Sequence, residues 1–184
     1  MPGKTREQKI DALIAKQEIS DLIVRYTYGC DRCDERLLAS VYYEDAREDH
    51  GSFVGKAPDF AAWATDFHKK VVHTKHIVTN MLIEVDGNRA TAQTYVLAFI
   101  RMRRETPWVA TNQDGSLFDR TFGGRYLDHL EKRSGEWKIA ERTLVVDWQR
   151  SDPFEETQVS ISEQPFNAGQ RNRNDLSYKY LTLE

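Results

Sequence analysis

Cysteines, long apolar runs and an excess of positive charge are all lacking in this chain, and each shortage removes a class of explanation. The 184 residues hold two cysteines, Cys30 and Cys33, as a lone Cys-x-x-Cys. Half a zinc site would need a second pair to reach four ligands, and there is none. A thioredoxin-type pair follows a strand and opens a helix, whereas this one follows a long helical pattern, so both residues read as buried or neutral thiols. No apolar run approaches the roughly 18 residues of a membrane span. The opening Met1-Pro2-Gly3-Lys4-Thr5-Arg6 leads into charge instead of an apolar leader core. A soluble, cytoplasmic protein is expected. With 26 basic against 29 acidic residues and a net charge of −3, there is no field to hold a nucleic-acid backbone or an anionic membrane, and neither partner is expected. A phosphate-cradling glycine loop, a His-Glu-x-x-His helix and a Gly-x-Ser-x-Gly elbow are also missing, which leaves nucleotide, metal and serine-nucleophile chemistry without support. No cofactor or metal site is expected. What is present is aromatic: 11% of the chain, with four Trp, eight Tyr and eight Phe, enough to line a cavity for a ring-shaped ligand.

The length suits one domain that buries roughly 70% of its unfolded surface. Ile10, Leu13, Ile14, Ile19, Leu22, Ile23 and Tyr26 recur at helical spacing from Arg6 to about Gly29, with a bend expected near Lys16. Asp34 can cap a short second helix through Arg36, Leu37, Leu38, Val41 and Tyr42, ended by a turn at Asp45. Ala46 to His50 and the stretch after Gly51 suggest a short hairpin, and Phe60, Trp63, Ala64 and Phe67 a third helix to about Lys70. Ile77 to Val85, Ala90 to Arg103, Phe118 to Lys132 and Trp137 to Gln149 are rich in β-branched and aromatic residues. They predict four strands of an antiparallel meander, with a longer loop over Glu105 to Leu117. Helices followed by long strands imply an α+β fold in which a curved antiparallel sheet wraps the helices and encloses a pocket. Residues 1–150 form that domain. The polar residues 151–184 form a tail, expected to pack on a neighbouring subunit or to be partly disordered.

Side chains that titrate near neutral pH are the first candidates for a general base. Five histidines are present. His76 falls where loop becomes strand, and its ring either projects into the pocket mouth or lies in solvent. Asp31, just past the first helix, either orients a histidine across the cavity or caps the second helix. Of Tyr26 and Tyr28 at most one faces the pocket. Arg125, beside Gly123 and Gly124, either stabilises developing negative charge or pairs with Asp128, Asp147 or Glu141. Glu48 and His50 share a strand face, and either could join the pocket.

Taken in order, Tyr26-x4-Asp31-Arg32, Tyr43-Glu44-Asp45-Ala46 followed by Asp49-His50-Gly51, His73-Thr74-Lys75-His76-Ile77-Val78-Thr79-Asn80, Ile83-Glu84-Val85-Asp86-Gly87, Gly123-Gly124-Arg125-Tyr126 and Trp137-Lys138-Ile139-Ala140-x-Arg142 resemble the SnoaL-like group of nuclear-transport-factor-2-like proteins. The resemblance spans roughly residues 8 to 150. It is nearest the branch with hexachlorocyclohexane dehydrochlorinase, bile-acid 7α-dehydratase and scytalone dehydratase. It implies a conical α+β barrel of the cystatin-like type, assembled as a homo-oligomer, with a trimer favoured. It also implies an Asp31–His76 dyad working without a cofactor, Arg125 as a catalytic cation, and Tyr26, His50 and Glu48 as substrate-binding residues. The implied activity is that of a lyase that expels water, halide or a one-carbon fragment such as formaldehyde from a small hydrophobic, aromatic substrate. An isomerase or cyclase of the same fold, and the non-catalytic subunit of a ring-hydroxylating dioxygenase, are the alternatives.

Overall fold

A computed structural model describes residues 5–103, 116–154 and 167–182. The first helix, α1 (Arg6–Asp31), opens on a capping box in which Thr5 and Gln8 exchange side-chain and backbone hydrogen bonds. It runs as one continuous helix through Lys16. Its buried stripe is Ala15, Ile19, Leu22, Ile23, Tyr26 and Cys30, while Ile10, Leu13 and Ile14 nearer its start are exposed. Asp34 caps α2 (Glu35–Ser40), accepting from the backbone N–H of Leu37 at 3.1 Å. The two helices meet at Gly29, where a Cβ would lie 2.9 Å from the backbone nitrogen of Leu38.

The next strand, β1 (Tyr42–Asp49), begins where the second helix was expected to continue, and it pairs antiparallel with β2 (Val54–Lys56). Helix α3 (Ala57–Lys70) follows, then the long strands β3 (His73–Asp86), β4 (Arg89–Arg103), β5 (Leu117–Arg133) and β6 (Glu136–Pro153). These four pair antiparallel in sequence order, as the sequence predicts. The connection expected over 105–117 lies, up to residue 115, outside the described residues. The six-stranded sheet has the order β2-β1-β6-β5-β4-β3, and one pairing, β1 on β6, is parallel. A parallel pair needs a long crossover, and β2, α3 and the strands β3 to β5, which lie between the two in the chain, supply it.

Curvature comes from irregular pairing. The register shifts at Thr79/Met81, where Asn80 takes φ 41°, and again at Gly123/Gly124 and His129/Leu130. Such bulges bend a strand and increase its twist. Gly124 is required at its bulge, because a Cβ there would lie 2.3 Å from the carbonyl oxygen of Val145. The sheet packs α1 against β3 and β6, and α3 against β1. Strict alternation in β4 buries Ala90, Ala92, Thr94, Val96, Ala98, Ile100 and Met102 on one face. The opposite face carries an exposed apolar row, Ile77, Leu97 and Trp148, with Gly123 between the last two.

Deep in the core, Arg142 donates to both oxygens of Asp128 at 2.6 and 2.8 Å, with both side chains wholly buried. Its guanidinium lies 4.1 Å from the ring centre of Tyr26 and 4.3 Å from that of Tyr126. Burial opposes its charge, yet the Asp128 carboxylate holds its pKa well above the ordinary value. The described part of the tail, 167–182, lies against the ends of the chain's own helices. Arg171 donates to the carbonyls of His68 and Val71 at 2.5 Å each, and Arg173 and Tyr178 donate to Asp34 at 3.0 and 2.8 Å.

Candidate active site

A cavity of about 190 Å³ opens between α1, α3 and the inner face of the sheet. Tyr26, Phe60, Trp63, Phe67 and Phe122 form its aromatic wall, and His50, His68, His76, Arg120 and Gln149 supply its polar groups. Tyr26 arrives from the buried stripe of α1, its ring stacked on Phe60 at 6.4 Å between centres. Burial, then the nearby Cys30 thiol, pushes its phenol pKa well above the usual 10, so Tyr26 is a neutral hydroxyl at working pH.

Asp31 ends α1 and His76 stands on the edge strand β3, three residues inside it instead of at a loop junction. The carboxylate grips the histidine twice. Oδ1 lies 2.8 Å from the ring Nδ1, and Oδ2 accepts from the His76 backbone N–H at 3.0 Å. With Nδ1 as donor, the lone pair on Nε2 is free. Cys30 and Cys33 flank this carboxylate as free thiols, and burial raises the pKa of both, most strongly that of Cys30.

His50 follows the end of β1. Its Nδ1 meets Glu48 Oε1 at 2.7 Å, as their shared strand face predicts. Glu48 does not reach the cavity; it is buried behind His50 and also accepts from the Tyr42 hydroxyl at 2.6 Å. Arg125 is not part of the site. It lies on the outer face of β5, where it forms a two-pronged pair with Asp147 at 3.0 and 2.8 Å. The reason is the period of two: Phe118, Arg120, Phe122, Gly124, Tyr126 and Asp128 share the inner face, which sends Arg125 outward with Leu127.

The cation that does line the cavity is Arg120, which sequence reasoning missed although the alternation Phe118-x-Arg120-x-Phe122 marks it. Its Nε is buried without a hydrogen-bond partner, and burial lowers its pKa. His68 was missed as well, though it sits four residues after Ala64 on the apolar face of α3. Its ring meets that of His76 edge-on at 5.5 Å between centres, and its Nδ1 is buried and unpartnered. Burial, then His76 and Arg171, holds its pKa well below 6.5, so it is neutral.

A family model described as a SnoaL-like domain matches residues 11–143. The chain belongs to the SnoaL-like domain family. This SnoaL-like chain is similar to a protein of unknown function from Mycobacterium tuberculosis, at 26% identity and a TM-score of 0.59 over 73% of each chain. It also resembles a candidate scytalone dehydratase from Novosphingobium aromaticivorans, at 21% identity and a TM-score of 0.63 over 80% of this chain and 97% of that one. A type 3 hexachlorocyclohexane dehydrochlorinase from Novosphingobium barchaimii gives 20% identity and a TM-score of 0.63 over 80% and 95%. A further neighbour is described by its cystatin-like fold. A comparison with the curated proteins finds no match. The α+β architecture expected from the sequence is thus that of the SnoaL-like family.

Proposed function

We propose that the chain is a cofactor-independent lyase that acts on a small aromatic substrate, with His76 as general base and Asp31 as the group that orients it. The observation that carries this reading is the double grip of Asp31 on the ring and the backbone of one histidine beside an aromatic cavity. Such a grip sets the tautomer and points Nε2 at the substrate, the two tasks a dyad carboxylate performs. The base removes a proton from carbon while a group on the neighbouring carbon departs. Arg120 takes the role first given to Arg125: a half-buried guanidinium with an unpartnered N–H suits an oxygen that gains negative charge, because such a donor is worth most where water is excluded. Tyr26 supplies a neutral hydroxyl. A cavity of roughly 150 Å³ accepts benzene, so about 190 Å³ suits one substituted ring. Water, halide or a one-carbon fragment such as formaldehyde are the groups such a site can release.

The test is elimination from a panel of β-hydroxy and β-chloro aryl ketones, followed by the absorbance of the conjugated product. His76→Ala should lower the rate by about 10³-fold with the far-ultraviolet circular dichroism unchanged, and Arg120→Met should lower it less. Retention of wild-type rate by His76→Ala refutes the dyad. Deuterium uptake from heavy water without loss of a group reassigns the activity to an isomerase.

A further inference from the structure

The general base accounts for one carboxylate-backed histidine, and the cavity holds two. Glu48 is 1% exposed and its side chain is wholly buried. A buried carboxylate costs several kcal/mol unless its oxygens are well partnered. One oxygen of Glu48 takes the Tyr42 hydroxyl at 2.6 Å and the other faces His50 Nδ1 at 2.7 Å, while the backbone of Arg142 lies opposite that of Glu48 in the register of β1 and β6. All this holds one imidazole ring, which stacks obliquely on Phe60 at 4.9 Å and keeps 19% of its side chain exposed on the cavity side. His50 comes from β1 and His76 from β3 at the far margin of the sheet, and the curl of the sheet brings both to one cavity.

We infer that His50, positioned by Glu48, is the general acid that protonates the leaving group, and that the substrate therefore carries an oxygen leaving group, a hydroxyl or an ether oxygen. This rests on the assignment of His76 as base. In its doubly protonated form His50 keeps one N–H on Glu48 and presents the other at Nε2 to the cavity. His76 Nε2 accepts the proton from carbon, and the electron pair of that C–H bond becomes the new C=C bond. The electron pair of the C–O bond leaves with oxygen, which takes the Nε2 proton of His50. Water or an alcohol is released, His76 is left cationic and His50 neutral, and exchange with solvent restores both. A halide leaves as an anion and has no use for this proton, so a chloride-releasing site would gain nothing from the second pair.

Two probes that give the same product separate the roles: 4-hydroxy-4-phenylbutan-2-one and 4-chloro-4-phenylbutan-2-one both yield 4-phenylbut-3-en-2-one, followed by its absorbance. His50→Gln should cost about 10²-fold on the hydroxy ketone and far less on the chloro ketone. Glu48→Gln should shift the ratio of the two rates the same way, to a smaller extent. Because both rates come from one preparation, the ratio is independent of the fraction of protein folded. His76→Gln should lower both rates alike. Equal losses on the two probes in His50→Gln overturn the inference and leave the base intact, as does a wild-type protein that acts on the chloro ketone alone. A wild-type protein that eliminates neither, or an unaffected His76→Gln, overturns the base and this inference with it.

Discussion

Replacing Asp128 by alanine should be among the most damaging single changes in this protein, although Asp128 never touches the cavity. The Arg142 guanidinium is fully buried and loses two hydrogen bonds of 2.6 and 2.8 Å in the variant, while its Nη1 already has no partner. Leaving such a charge unpaired costs about 3–5 kcal/mol, a large share of the roughly 5–15 kcal/mol that holds a domain together. At about 2–4 °C per kcal/mol for a chain of this size, the melting temperature should fall by roughly 6–20 °C. The two tyrosine rings that lie against the guanidinium at 4.1 and 4.3 Å stay in place and offset only part of this. Urea unfolding at pH 7, followed by circular dichroism, measures the loss. The paired replacement Asp128→Leu with Arg142→Met removes both charges and should recover most of the stability. A single variant within about 1 kcal/mol of wild type, or a paired variant no better than the single one, would refute the argument that an unpaired charge is the cause.

Stability should also fall in mild acid. His68 has its pKa depressed by burial first and by His76 and Arg171 after that. Above about pH 6.5 it is neutral whether folded or not. Below that value the unfolded chain takes up a proton that the native state refuses, so stability is full above the unfolded pKa and declines as pH falls, by up to about 1.4 kcal/mol per pH unit. Denaturation series between pH 7 and 5 should therefore show a steeper decline for wild type than for His68→Gln, and equal slopes would count against this. The apolar row of Ile77, Leu97 and Trp148 on the outer sheet face suits the homotrimer implied by the resemblance, because contiguous exposed apolar surface marks association sites. Light scattering should give a trimer that Trp148→Asp dissociates; a monomeric wild type would overturn it.

Most of the fold was legible because periodicity and punctuation agree. Helix α3 and the four long strands follow from apolar spacing, and Asp86-Gly87-Asn88 and Ser134-Gly135 from turn chemistry, with Gly87 and Gly135 at positive φ. The end of α2 was misjudged because Val41 and Tyr42 suit either a helix or a strand until packing chooses. The parallel pairing of β1 with β6 has no local signal at all. Within the site, the Asp31–His76 contact was reached through motif order, as no spacing rule links residues 45 apart. Arg125 was favoured for its neighbouring glycines, yet those glycines serve the bulge and the Trp148 ring lying over Gly123. Counting in twos from Phe118 would have selected Arg120.

The carbonyls to which Arg171 donates are those at the tail end of α3, the helix that carries His68, and a cation there meets the negative end of the helix dipole. Residues far past the last long strand are thereby part of the hardware that keeps one wall of the cavity in position. A shortened expression version that stops near residue 150 would leave that helix end open, and a purification tag is better attached at the other terminus.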